Sequence, residues 1–197
     1  MKNHSAWTND MLQSIVYWVA YKKTIFPFYQ IPEGAIASEL WEILKGLMNS
    51  QNEKYRIYPE YQYSKISENE SNKDRADIAI CRKVNDTEEL EAIIEIKKYE
   101  DKNQNAITTQ IKKDIEKIVN LRKETKNKKF KSYLLIVNQE RFPDKFINEK
   151  GEVKKRNIDL PENLVKHIKK KESRKCFPST RDKIIKKGFF AILLTIE

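Results

Sequence analysis

The sequence predicts an α/β sandwich built on a mixed sheet. Apolar residues recur at helical spacing in three segments, 8–22, about 32–48 and 106–122. Five short β-branched or aromatic runs, 55–63, 76–81, 91–99, 132–138 and 189–197, read as strands. Their order carries the topology. Three strand runs follow one another before the longest helix, which makes them antiparallel neighbours. The helix is then a crossover of the right length to bring the next strand in parallel.

Thr8 or Asn9 can cap the first helix, whose stripe is Leu12, Ile15, Val16, Val19 and Ala20. Pro27 and Pro32 in TIFPFYQIP oppose its continuation. A second helix runs from about Pro32 or Ala35 to Met48 on Ile36, Leu40, Ile43, Leu44 and Leu47. YRIYPEYQY (55–63) is extended, and Pro59 marks an edge strand or a bulge. Its tyrosines read as core, with base stacking as the other use. SKISENESNKD (64–74) is a polar connection, ADIAIC (76–81) a short strand, VNDTEEL (84–90) a turn and EAIIEIKKY (91–99) a strand. The helix at 106–122 packs through Ile107, Ile111, Ile115, Ile118 and Val119. SYLLIVN (132–138) is a continuous apolar run, as in a buried central strand. A basic irregular stretch with a short helix near 161–171 precedes the final strand, FFAILLTIE. The expected organisation is one domain, with a helical extension over 1–31, a core over 32–138, and a basic region with the last strand over 139–197.

Of the 197 residues, 39 are Lys or Arg and 29 are Asp or Glu, for a net charge of +10. Residues 151–197 alone hold 13 basic and 6 acidic side chains. A polyanion, most simply a nucleic acid, is the partner such charge suggests. The abundance of Lys, Asn and Ile also fits an AT-rich genome, which would make the charge a matter of codon bias. No apolar run is long enough to span a membrane, and MKNHSAWTND does not read as a signal peptide. Two cysteines, Cys81 in a strand and Cys176 in a basic loop, point to a reduced cytoplasmic protein. Four glycines leave no phosphate-cradling loop, which speaks against an NTPase or dinucleotide fold.

The chemistry-bearing constellation is on two strands. Residues two apart share a strand face, so Glu95 and Lys97 stand together. Asp77 interrupts a neighbouring apolar strand, where Asp is depleted. Paired side by side, the two strands bring two carboxylates and an ammonium to one end of the sheet. Buried charges require partners or a metal, and hard carboxylate oxygens suit Mg²⁺ or Mn²⁺. An ordinary Glu/Lys pair on a wet face is the plain alternative. Ile93 and Tyr99 on that same face argue against it.

RADIAI followed by IIEIKKY resembles the PD-(D/E)XK nuclease superfamily, the restriction-endonuclease-like fold. The resemblance covers roughly residues 35–138, with Ala76 where the family's name has Pro. It implies that Asp77, Glu95 and the Ile96 carbonyl hold Mg²⁺, with Mn²⁺ as a substitute, and that Lys97 orients or deprotonates the attacking water. The family often adds an acid from the first core helix. Glu39, flanking the apolar stripe, is the first choice there, Glu33 the reserve and Glu60 a third. Gln110 is an expected site-flanking residue, and Asp114 reads as a structural partner on the apolar side of its helix. The basic residues Lys154, Lys155, Arg156, Lys169, Lys170, Lys171, Arg174 and Lys175 are candidate phosphate contacts. The expected activity is a metal-dependent endonuclease of double-stranded DNA, a restriction or genome-defence enzyme, homodimeric where both strands are cut. The alternatives are a catalytically inactive nucleic-acid-binding subunit of the same fold and an RNA-directed nuclease.

Overall fold

The computed structural model describes residues 4–49, 54–69, 71–99, 104–125, 129–138, 160–176, 179–180, 183–184 and 188–197. In chain order these form α1 (His4–Ile25), α2 (Glu33–Asn49), β1 (Tyr55–Gln62), β2 (Arg75–Val84), β3 (Thr87–Tyr99), α3 (Gln104–Glu124), β4 (Lys131–Asn138), α4 (Glu162–Val165), β5 (Ile168–Cys176), β6 (Ser179–Thr180), β7 (Lys183–Ile184) and β8 (Phe189–Ile196). Six strands make one mixed sheet in the order β1-β2-β3-β4-β8-β5. Within it β3 and β4 are parallel, joined through α3, and the other neighbours are antiparallel. β6 and β7 form a separate small ribbon.

Strand alternation divides the core into two layers. Ile78, Ile80, Ile94, Ile96, Leu135 and Leu193 face α1 and α2. Ala79, Ile93, Leu134, Ile136, Ile192 and Leu194 face α3 and α4. α1, which the sequence reading sets apart as an extension, lies in the first layer. Its residues Met11, Leu12, Ile15, Val16 and Val19 are fully buried, at roughly 1.5–3 kcal/mol of apolar transfer each. The indole N–H of Trp41 on α2 donates to the carbonyl of Ile57 (3.0 Å), which ties that layer to the edge strand β1.

α1 begins at His4, so Thr8 and Asn9 lie inside it and do not cap it, and two further segments differ from the sequence reading. The turn expected over 84–90 shrinks to Asn85 and Asp86, and both strands continue through the polar residues. Asn85 takes φ 55°, a conformation Asn tolerates better than most residues. Charges pair across the strands here: Arg82 of β2 with Glu89 (3.2 Å) and Glu91 (2.7 Å) of β3, and Arg56 of β1 with Glu88 of β3 (3.3 Å). The second segment is β5. Residues 168–176, expected as a basic helix or loop, are an edge strand paired to β8, and Cys176 closes it. β8 is apolar along nearly its whole length, and without β5 its backbone edge would lie open. A lysine-rich outer strand covers it and discourages pairing with other chains.

Candidate active site

β2 and β3 run as an antiparallel pair up to Ile78 opposite Ile94, and there the ladder stops. Residues 75 and 76 of β2 remain paired to β1. Residues 95–99 of β3 remain paired to β4. The first residues past the fork are Asp77 and Glu95. The Asp77 side chain fills the place of the lost ladder bond, since Ile96 N–H donates to Asp77 Oδ2 at 2.6 Å. By strand alternation Asp77, Glu95 and Lys97 share the face that looks toward α3.

Three further side chains reach them. Glu33, in the first turn of α2, lies at the end of β3. Its Oε2 accepts from Lys98 N–H (3.0 Å), and its Oε1 is 3.2 Å from Lys97 Nζ. Asp114 of α3 approaches Lys97 at 3.4 Å, in an ion pair rather than a directed hydrogen bond. Lys117, one turn further on, lies 3.0 Å from Glu95 Oε1 and donates to the carbonyl of Arg75 (2.6 Å). Tyr63, fully buried after β1, donates its hydroxyl to the same Glu95 oxygen.

Four carboxylates (Glu33, Asp77, Glu95 and Asp114) therefore meet two ammonium groups (Lys97 and Lys117). The cluster carries two formal negative charges in excess while largely out of water. Burial pushes Glu95 up to about 7, against the pull of Lys117 and the Tyr63 hydroxyl, and the charge of Asp77 adds to the rise. Burial likewise raises Asp77 and Asp114. Lys97 goes the other way from a typical buried lysine. Burial pulls its pKa down, but Asp114 and Glu33 outweigh it and hold Lys97 above its ordinary value, fully protonated.

The Glu95 shift has a measurable consequence. A carboxyl whose folded-state pKa lies above its ordinary 4.5 binds its proton more tightly when folded. Its stabilising effect is complete below that value and is lost as pH rises through about 7. Relative to Glu95→Gln, the unmodified protein is expected to lose about 3 kcal/mol of unfolding free energy between roughly pH 4.5 and 8. Urea titrations at several pH values measure this, and a difference that stays flat across the range would mean that Glu95 is not strained.

The sequence-named residues divide clearly. Asp77, Glu95, Lys97 and Glu33 meet, and Ile96 enters through its backbone. Glu39 is half-buried on α2 and makes no hydrogen bond among the described residues. Glu60 is an exposed side chain at φ 51° near Arg75 (3.9 Å), outside the cluster. Gln110 is exposed on α3, one turn before Asp114. Lys154, Lys155 and Arg156 lie outside the described residues. Lys169, Lys170, Lys171, Arg174 and Lys175 are on β5, where Lys170 pairs with Glu172 (3.0 Å). Tyr63 was given no site role by the sequence reading, whereas Lys117 shares a helix flank with Gln110 and Asp114, from which a Gln or Lys can approach such a site. A buried tyrosine leaves no sequence mark, but Lys117 follows Asp114 at i+3 on the same helix flank, which is a usable signal.

The donor chemistry fits a hard divalent ion. Asp77 Oδ1 and Glu95 Oε2 make no hydrogen bond among the described residues, and the charge excess equals that of one such ion. No three His, Cys, Asp or Glu side chains among the described residues are arranged to hold an ion by themselves. An ion here would accordingly take two protein carboxylates, with waters and substrate oxygens completing its shell, as Mg²⁺ commonly does. Among the described residues no helix is long and apolar enough to cross a membrane. Comparison of the chain with protein-family models, with curated proteins and with solved structures finds no match.

Proposed function

We propose that this chain is a Mg²⁺-dependent DNA endonuclease of the restriction-endonuclease-like type, with a restriction or genome-defence role. The observation that carries the reading is the fork at Asp77 and Glu95. There two carboxylates face each other across parting strands, and Lys97 stands on the same face two residues on. With all six groups ionised the cluster would carry two negative charges, which a divalent ion would offset.

In this reading Asp77, Glu95 and the Ile96 carbonyl hold the ion. When bound, it supplies Lewis-acid polarisation of a phosphoryl oxygen and lowers the pKa of a bound water. The chain's own residues do the rest. Lys97 is cationic, so its role is to orient the attacking water and to offset charge developing on the phosphate, not to abstract a proton. Glu33 and Asp114 fix the Lys97 ammonium, and Glu33 also pins the backbone of β3 at Lys98. Tyr63 and Lys117 hold Glu95 by one oxygen and leave the other for the ion. In-line attack would leave a 5′-phosphate and a 3′-hydroxyl. On the same sheet face, the register aligns Glu95 with Lys171, and Tyr99 with Lys175. These lysines stand three strands away, at about 14 Å, with the buried Leu134 and Leu194 between Glu95 and Lys171.

The test is incubation of the purified protein with plasmid and single-stranded DNA in Mg²⁺ or Mn²⁺, against EDTA. Cleavage that EDTA abolishes is expected. Binding without cleavage of DNA or RNA in Mn²⁺ would replace this reading with that of a binding subunit.

A further inference from the structure

The most exposed apolar surface of the described residues lies at the end of α1 and in the loop after it. Phe28 is 96% exposed, and Phe26 and Tyr29 are about half exposed, at 52% and 53%. Below them Trp18, Lys22, Phe26, Tyr29, Ile31 and Ala35 line a cleft of about 330 Å³. Such a volume is at the small end of small-molecule sites, and is too small for the apolar face of a helix. The loop is held in shape, because Lys23 Nζ donates to the carbonyls of both Pro27 and Tyr29 at 3.0 Å. Lys22 stands 5.7 Å from the centre of the Trp18 ring. From Met11 to Pro32 the chain carries Lys22 and Lys23 and no acidic residue. Rings interleaved with lysines in an acid-free stretch are the composition that stacks bases and tolerates their phosphates.

Position ties this surface to the fork. Ile31 and Ala35 line the cleft, while Glu33 between them bonds to Lys97 and Lys98 N–H. Phe28 and Glu33 are five positions apart in sequence, so their Cα atoms are at most about 18 Å apart. We infer that this cleft takes an unpaired nucleobase, and that the DNA handled at the fork is single-stranded beside the point of cleavage. The inference rests on the nuclease reading for the identity of its ligand. A second copy of the chain is a poorer occupant, because a two-fold contact through this patch would set Lys22 and Lys23 against their own counterparts.

The experiment is fluorescence anisotropy in EDTA, where nothing is cut. The probes are labelled oligothymidylate and a mixed-sequence duplex of the same length. Phe26→Ala and Tyr29→Ala are each expected to weaken oligothymidylate binding about ten-fold or more, with duplex binding within about two-fold of the unmodified protein. Phe28→Ala, at a ring the fold does not use, is expected to act in the same direction with an unchanged melting temperature. Equal losses for both probes, or none, overturn the base site. So does a concentration-dependent dimer in sedimentation that the same variants abolish. The two proposals fail separately. A protein that cuts DNA while the variants keep full affinity loses only the base site. One that loses single-strand affinity in the variants but never cuts, even in Mn²⁺, keeps the base site and loses the nuclease reading, together with the point of cleavage placed beside it.

Discussion

If the chain is the nuclease proposed, Lys97→Ala is expected to slow phosphodiester cleavage by about two to three orders of magnitude or more and to leave DNA affinity within about two-fold. The reason lies in when the ammonium is used. Asp114 and Glu33 hold Lys97 protonated and in place before substrate arrives. Charge on the phosphate oxygens grows only as the transition state forms, so a fixed cation beside them acts on turnover more than on ground-state binding. Its removal leaves four carboxylates against one ammonium, so the variant should keep its affinity for the divalent ion. It should also be less stable, because Asp114 is largely buried and loses its cation. Lys97→Met keeps the length and packing of the side chain and separates that structural loss from the catalytic one. Single-turnover rates in Mg²⁺, set beside anisotropy in Ca²⁺, decide the matter. Parallel losses in rate and affinity would make Lys97 a phosphate-binding residue, and an unchanged rate would remove it from the chemistry.

Some of this site was legible in the sequence, and the reasons are local. Asp77 and Glu95 stand where isoleucines and alanines would be expected, and a period of two places Lys97 beside Glu95 without any knowledge of the fold. The helices were legible for the same reason. Leu12, Ile15, Val16, Val19 and Ala20 repeat at helical spacing, and all five are buried.

The misplacements came from non-local causes. A helical wheel ranks acids by angle around α2 and so favours Glu39, on the flank of the apolar stripe. What selects Glu33 is axial position. The first turn of α2 lies at the end of β3, where a carboxylate can accept the Lys98 N–H and also complement the helix dipole. Tyr63 reaches Glu95 across 32 residues of sequence. β5 is a strand because β8 leaves an apolar edge to cover, not because KKKESRK has any strand preference of its own. No pattern within those segments carries that information.

Asp77→Asn should abolish cleavage and at the same time make the protein more stable. The amide is nearly isosteric, and its oxygen can still accept the Ile96 N–H that closes the fork. What disappears is a charge whose pKa burial has raised and which sits among Glu33, Glu95 and Asp114. The cluster's excess falls from two negative charges to one. A stability gain on the order of 1 kcal/mol follows, read as a rise of about 2–4 °C in Tm for a chain of this size. Because the folded-state pKa is raised, the penalty in the unmodified protein exists only where Asp77 is ionised. The gain is therefore expected at neutral and alkaline pH, and it should vanish as acid protonates the native carboxyl. On the proposed reading the ion would lose one of its two protein carboxylates, so Mg²⁺ affinity by calorimetry should drop at least about a hundred-fold. The Mg²⁺-induced rise in Tm should go with it. The two signs together mark the residue. A carboxylate kept to hold the fork closed would lower Tm when neutralised and leave any response to Mg²⁺ intact. That pair of results would make Asp77 a structural group and remove the metal from this reading, whereas a more stable, metal-blind and inactive variant fits a charge whose cost to stability is offset only when the ion binds.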